Sequence, residues 1–190
     1  MTTTRKTLLW RVRDSADSVA WDEFFALYAP LLASYARAHG LGAADADEVR
    51  DQCLAVVAQR MPDFEYAREQ GSFKAWLYRI AKGKIVDVLR RPREEQPATA
   101  TLFALPSRDE QPDEIWERRW RDEHLRYALG EAMRGESETA RRVFELVLAD
   151  DLSVAELCER TGLNANQIYK ARSRLLRRVR EVLQRLGGDV

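Results

Sequence analysis

Helical periodicity governs nearly the whole chain. Apolar residues recur at steps of three and four through one segment after another, and no apolar–polar alternation reaches useful strand length. The fold class this predicts is all-α. A short helix covers Thr4 to Arg13. A longer one runs from about Ser18 to His39, with Trp21, Phe24, Phe25, Tyr28, Leu31, Leu32 and Tyr35 on one face. Gly40 closes it, and Pro30 inside it predicts a kink or break. The next begins near Ala44, carries Val49, Cys53, Val56, Val57 and Arg60 on one stripe, and stops at Pro62. After a polar loop with aromatic residues in it, Ser72 caps a helix from Phe73 to Arg91.

The pattern fails once. Residues 92–112 hold four of the chain's six prolines, which rules out a continuous helix and reads as an extended linker. Periodicity resumes from Asp113 to about Met133, then from Ser137 to Ala149. The chain therefore reads as two small helical domains, 1–91 and 113–190, joined by a proline-rich linker, 92–112. No apolar run has the length of a membrane span, and the N-terminus lacks the apolar stretch of a signal peptide, so a cytoplasmic protein without membrane insertion is expected. Cys53 and Cys158 lie on apolar stripes. Two thiols with no Cys/His cluster predict neither a disulfide framework nor a metal site.

The last part of the chain has the clearest local syntax. Ser153 and Glu156 have the spacing of a capping box, opening a helix of roughly nine residues that ends at Gly162. Asn164 starts the next helix, with Gln167 at the reciprocal position. Gly162 suits a left-handed turn, Cys158 is small enough for a close crossing, and Leu157, Leu163 and Ile168 fill the space between the helices. This is a helix-turn-helix. Along the final helix Ile168, Ala171, Leu175, Val179, Val182 and Leu186 form the inner stripe. From Asn164 to Arg180 there are six basic residues and no acidic one. The chain as a whole balances 31 basic against 31 acidic residues, so the positive charge is sorted locally and creates no global field. Asn164, Asn166 and Gln167 are amides able to pair with adenine, Lys170, Arg172 and Arg174 follow, and Arg177 and Arg178 suit phosphates.

A second basic patch lies between Arg79 and Arg93, where six basic residues face one acid, Asp87. Aromatic residues precede it. Such a combination suits single-stranded nucleic acid, with Phe64 and Tyr66 the candidates for touching a base while Phe73, Trp76 and Leu77 fill the core. Acidic residues cluster at 44–51 and 109–117. The first cluster is either favourable charge at a helix N-terminus or a docking face for a basic partner.

In order and spacing these parts resemble a bacterial RNA polymerase sigma factor of the minimal extracytoplasmic-function (ECF) group, over residues 8–92 and 115–186. Trp21, Phe24, Leu27, Tyr28, Pro30, Leu31 and Leu32 are similar to the opening of sigma region 2. Phe64, Tyr66, Gly71–Phe73, Trp76, Leu77 and Leu89–Arg91 are similar to its promoter-melting part. Residues 153–181 resemble the helix-turn-helix of region 4. The resemblance implies core RNA polymerase and promoter DNA as partners, and an anti-sigma factor as a candidate third. It implies −35 contacts from Asn164, Asn166, Gln167, Lys170, Arg172, Arg174, Arg177 and Arg178, and −10 contacts from Phe64, Tyr66, Ser72, Lys82, Lys84, Arg90 and Arg91. Polymerase docking would fall to Asp47, Glu48, Asp51 and Gln52. The chain departs from the family at Asp51 and Gln52, where Gln-Glu is usual, at Ala58, where an aromatic is common, and at Gly83, where Asn is frequent. An interior helical glycine costs roughly 1 kcal/mol against alanine. The competing reading is a stand-alone helix-turn-helix regulator with an N-terminal dimerisation or sensing domain. An enzyme is disfavoured: His39 and His124 read as isolated surface histidines, no phosphate loop or catalytic set is visible, and no cofactor is expected.

Overall fold

Asp17 starts the first long helix by accepting from the Ala20 amide at 2.9 Å. Its carboxylate is also gripped by Arg11 through two hydrogen bonds of 3.0 Å, which hold its pKa below the ordinary aspartate value. One acidic side chain thus caps this helix and ties it to the short helix before it. The computed structural model describes residues 8–64, 72–91, 111–148 and 152–186. Among these the regular structure is entirely helical: α1 (Leu8–Arg11), α2 (Ser18–Ala38), α3 (Ala43–Arg60), α4 (Phe73–Leu89), α5 (Glu114–Met133), α6 (Glu138–Leu148), α7 (Val154–Thr161) and α8 (Ala165–Leu186). No helix among them is long and apolar enough to cross a membrane.

The break expected at Pro30 does not occur. α2 runs through it, because Leu27, Tyr28, Leu31 and Leu32 on the adjoining turns are all buried, and their packing outweighs one lost backbone bond. The helix ends in a Schellman arrangement, with Gly40 at φ 83, its amide bonded to the Arg37 carbonyl and the Leu41 amide to that of Ala36.

The residues divide into two compact units, and the division falls inside α5, between His124 and Leu125. This differs from a boundary at 113. Trp116 and Trp120 are fully or almost fully buried in the first unit, with α2, α3 and α4. Trp116 packs edge-on against Tyr35 at 4.9 Å, and Trp120 lies 5.6 Å from Tyr28. Asp113 caps α5 through the Trp116 amide and accepts from the Tyr35 hydroxyl at 2.7 Å. Burial and that carboxylate together push the Tyr35 pKa upward. Each large aromatic removed from water contributes about 1.5–3 kcal/mol, so this half-helix is bound to the first unit by side chains that sequence proximity assigns to the second.

His124 is also not a surface residue. It is 1% exposed, stacked 4.4 Å from Trp120, and it extends the Trp116–Trp120 stripe by one turn. His39 has a side chain only 10% exposed, edge-on to Tyr35. Cys53 is buried, which raises its thiol to about 12.

The second unit packs the remainder of α5 with α6, α7 and α8. Ala128, Ala132, Val143, Phe144, Val147, Leu157, Ile168, Ala171, Leu175 and Val179 form one continuous core.

Candidate nucleic-acid interface

The α7–α8 pair is built from local rules. Glu156 N donates to Ser153 Oγ at 3.3 Å and Ser153 N to Glu156 Oε2 at 2.8 Å, a reciprocal cap that holds the Glu156 pKa down. Gly162 takes the left-handed conformation at φ 69, and its amide closes on the Cys158 carbonyl at 2.9 Å. Thr161 Oγ1 donates to the Leu157 carbonyl and accepts from the Leu163 amide, fixing the turn. A second box follows: Gln167 N donates to Asn164 Oδ1 at 3.0 Å, and Asn164 N to Gln167 Oε1 at 2.9 Å.

That second box bears on base reading. A bidentate amide–adenine pair needs both the oxygen and the nitrogen of the side chain. In Asn164 and Gln167 the oxygen already accepts a backbone N–H, so the cap fixes the direction of each amide. Asn166 is exposed and lies outside the cap, so it is the amide free to use both atoms.

The basic residues of α8 divide by direction. Arg174 and Arg178 both reach Glu136 in the α5–α6 turn, the former at 3.7 Å, and Arg178 also donates to the Ala132 carbonyl at 3.0 Å. Arg178, expected at phosphates, is thereby drawn into the framework. Among the described residues no ion pair engages Lys170, Arg172, Arg177 or Arg180; Arg172 is half-buried and the other three are exposed. Gln167, Lys170 and Arg174 rim a groove of about 360 Å³ floored by Ala140, Val143, Leu163 and Ala171. Sequence reasoning missed Tyr169, 57% exposed on the same outer surface as Asn166 and Lys170. The available signal was an aromatic standing off the Ile168–Ala171–Leu175 stripe.

In the first unit Ser72 accepts from the Ala75 amide at 3.2 Å, so its hydroxyl serves the α4 N-terminus. Phe64, expected to meet a base, is half-buried against Trp76 at 4.8 Å and Phe73 at 5.9 Å. Tyr66 and residues 92–110 of the expected linker lie outside the described residues. Lys82 sits over the Tyr78 ring at 5.9 Å, and Lys84 is 4.0 Å from Asp87. Arg90 is exposed. Arg91 instead forms a bidentate pair with Glu48 at 2.6 and 2.7 Å, which joins the basic patch to the acidic face of α3. A groove of about 380 Å³ runs between α3 and α4, lined by Val56, Arg60, Trp76, Arg79, Gly83 and Lys84 among others. Val56 and Arg60, assigned from sequence only to an apolar stripe, supply its α3 wall. Gly83 contributes no side chain to it.

The acidic face of α3 is partly neutralised from within. Arg50 donates to Asp47 at 2.6 Å and to Asp51 at 2.8 Å, lowering the Asp51 pKa. Gln52 donates to Glu48 at 2.7 Å. Asp47 and Asp51 remain more than half exposed, at 52% and 66% of their side chains. No group of His, Cys, Asp and Glu fit to hold a metal occurs among the described residues.

Comparison with known proteins adds an independent line. Residues 24–95 match the family Sigma-70 region 2. The chain is 32% identical over 168 residues to the ECF RNA polymerase sigma factor RpoE of Cereibacter sphaeroides, covering 88% of each. Two solved structures are similar at a TM-score of 0.38 each. One is Rhodobacter sphaeroides SigE in complex with the anti-sigma ChrR, at 26% identity with 92% of this chain and 94% of that one covered. The other is CnrH in complex with the cytosolic domain of CnrY, at 21% identity with 93% and 95% covered. These superpositions are too loose to add to the sequence relationship.

Proposed function

We infer the working of this protein from one premise: the chain belongs to the ECF group of RNA polymerase sigma factors. Its function is to direct core RNA polymerase to promoters, and a stand-alone regulator is not favoured by a relationship that spans 88% of the chain. In our reading α8 enters the major groove of the −35 element. Asn166 pairs with a base edge, Lys170 and Arg174 reach further edges, and Arg177, Arg172 and Arg180 neutralise phosphates, which gives affinity without sequence information.

The first unit then holds the −10 element after melting. Unpairing and flipping a base costs a few kcal/mol. Stacking worth about 1–3 kcal/mol per base, with backbone contacts from Lys82, Lys84 and Arg90, offsets it. Trp76, which lines the α3–α4 groove, and the cations beside it support this reading. Asp47 and Asp51 offer polymerase an exposed acidic surface. Catalysis belongs to the polymerase, the setting is the cytoplasm, and an anti-sigma factor is a candidate partner that would compete for these surfaces.

The observation that carries the −35 assignment is the set of cations on α8 left unpaired beside a capped helix-turn-helix. Reconstitution with core polymerase tests it. Promoter-dependent run-off transcription should appear with this protein and fall sharply in Lys170→Ala/Arg177→Ala. Transcription unchanged by that double substitution would remove α8 from promoter binding.

A further inference from the structure

Glu136 meets two of the cations expected to face DNA. It sits just after Gly135, whose φ of 77 turns the chain from α5 into α6, and its side chain is only 12% exposed. Arg174 and Arg178, one turn apart on α8, both converge on it. Each has a second anchor. The Arg174 guanidinium lies 5.3 Å over the buried Phe144 ring, and Arg178 donates to the Ala132 carbonyl near the C-terminal end of α5. A planar guanidinium held by a carboxylate and an aromatic face loses rotamer freedom before any ligand arrives.

We infer that Glu136 is a specificity-determining positioning residue: it keeps Arg174 and Arg178 off the phosphates and fixes Arg174 at the groove rim beside Gln167 and Lys170. The inference rests on the reading of α8 as the DNA-binding helix. Its physical logic is subtraction. Every cation free to meet a phosphate strengthens binding to all sequences alike, and only directed contacts discriminate. Holding two arginines back leaves Arg172, Arg177 and Arg180 for general attraction and presents one guanidinium in a set orientation.

The test measures binding of the full chain to a short duplex of arbitrary sequence across a salt series, by fluorescence anisotropy. In Glu136→Gln the two arginines are released, so log K against log salt should steepen by about 1–2, at roughly 0.9 per added phosphate contact. Arg178→Ala should leave the wild-type slope unchanged, because that guanidinium does not reach phosphate while Glu136 and the Ala132 carbonyl hold it. This second arm stands even if Glu136→Gln folds poorly. In Arg174→Ala/Arg178→Ala, adding Glu136→Gln should not steepen the slope further. A slope that steepens there too would mean only lost repulsion and would overturn the inference, as would an unchanged slope in well-folded Glu136→Gln. The underlying DNA-binding reading has its own control, since Arg177→Ala/Arg180→Ala must flatten the slope whatever Glu136 does.

Discussion

Replacing His124 with phenylalanine should make the first unit less sensitive to acid, and the size of the effect follows from where the ring sits. His124 is 1% exposed, stacked on Trp120 at 4.4 Å and edge-on to Tyr28 at 5.7 Å, with Nδ1 2.8 Å from the Trp120 carbonyl, an arrangement in which that nitrogen donates. Burial penalises the imidazolium, Lys74 adds to the penalty, and the pKa falls to about 4 despite the carbonyl. An unfolded chain takes up the proton near pH 6.5. Above that value both states are neutral and the stability is fully present. As pH falls from about 6.5 towards 4 the unfolded state binds a proton that the folded state refuses, and stability is lost. A gap of about 2.5 units at 1.36 kcal/mol each gives about 3 kcal/mol. For a unit of this size that is ~12–25 °C in melting temperature. Calorimetry of the full chain from pH 7.5 to 4.5 should show the wild-type transition of this unit falling more steeply than that of His124→Phe. Carboxylates titrate in both proteins and cancel in the difference. Parallel curves would refute the argument, because they would mean His124 titrates alike in both states.

Trp116→Ala should destabilise the first unit by about 3–5 kcal/mol, since a fully buried ring packed on Tyr35, Tyr78 and Trp120 leaves a cavity that cannot close. Hydrogen exchange should then show lost protection in α2 and α4 with α6 and α8 unchanged; the opposite pattern would return α5 wholly to the second unit. Asp47→Asn/Asp51→Asn should weaken core polymerase binding by about tenfold in a competition assay, with little change in stability, because exposed ion pairs contribute little to folding. Glu48→Gln should weaken it less, since that carboxylate is already occupied by Arg91 and Gln52; an equal or larger loss would show that Glu48 exchanges its partners for polymerase.

What could be read from the sequence was what depends on residues three or four apart. The Ser153–Glu156 box, the Asn164–Gln167 box, Gly40, Gly162 and the Ser72 cap all follow from local hydrogen bonding, and each stands where spacing put it. The helical stripe through Trp116, Trp120 and His124 was equally legible as a stripe. What it packs against was not, because the Tyr35–Asp113 bond joins residues 78 apart in sequence and only the folded chain brings them together. The same limit hid the pairing of Arg91 with Glu48 and of Arg178 with the end of α5. Of the two outcomes Pro30 allowed, a kink or a break, the break was overruled by the burial of the turns on either side.

The two arginine doublets make the consequence concrete. Arg90–Arg91 and Arg177–Arg178 look in sequence like duplicated charge, each pair interchangeable at a phosphate. Successive residues in helical backbone point about 100° apart, so Arg177 and Arg178 cannot share one surroundings, while Arg90 and Arg91 lie just past the C-terminal end of α4, where the chain turns away. Arg91, itself exposed, pairs with Glu48, and Arg178 reaches Glu136 and the Ala132 carbonyl, while Arg90 and Arg177 are exposed with no ion pair among the described residues. Each doublet thus holds one cation in an ion pair of the folded chain and leaves the other unpaired at the surface. A charge count along α4 and α8 therefore overstates the field available to DNA. Replacing a whole doublet would remove a paired and an unpaired cation together, so their contributions separate only when each arginine is changed alone.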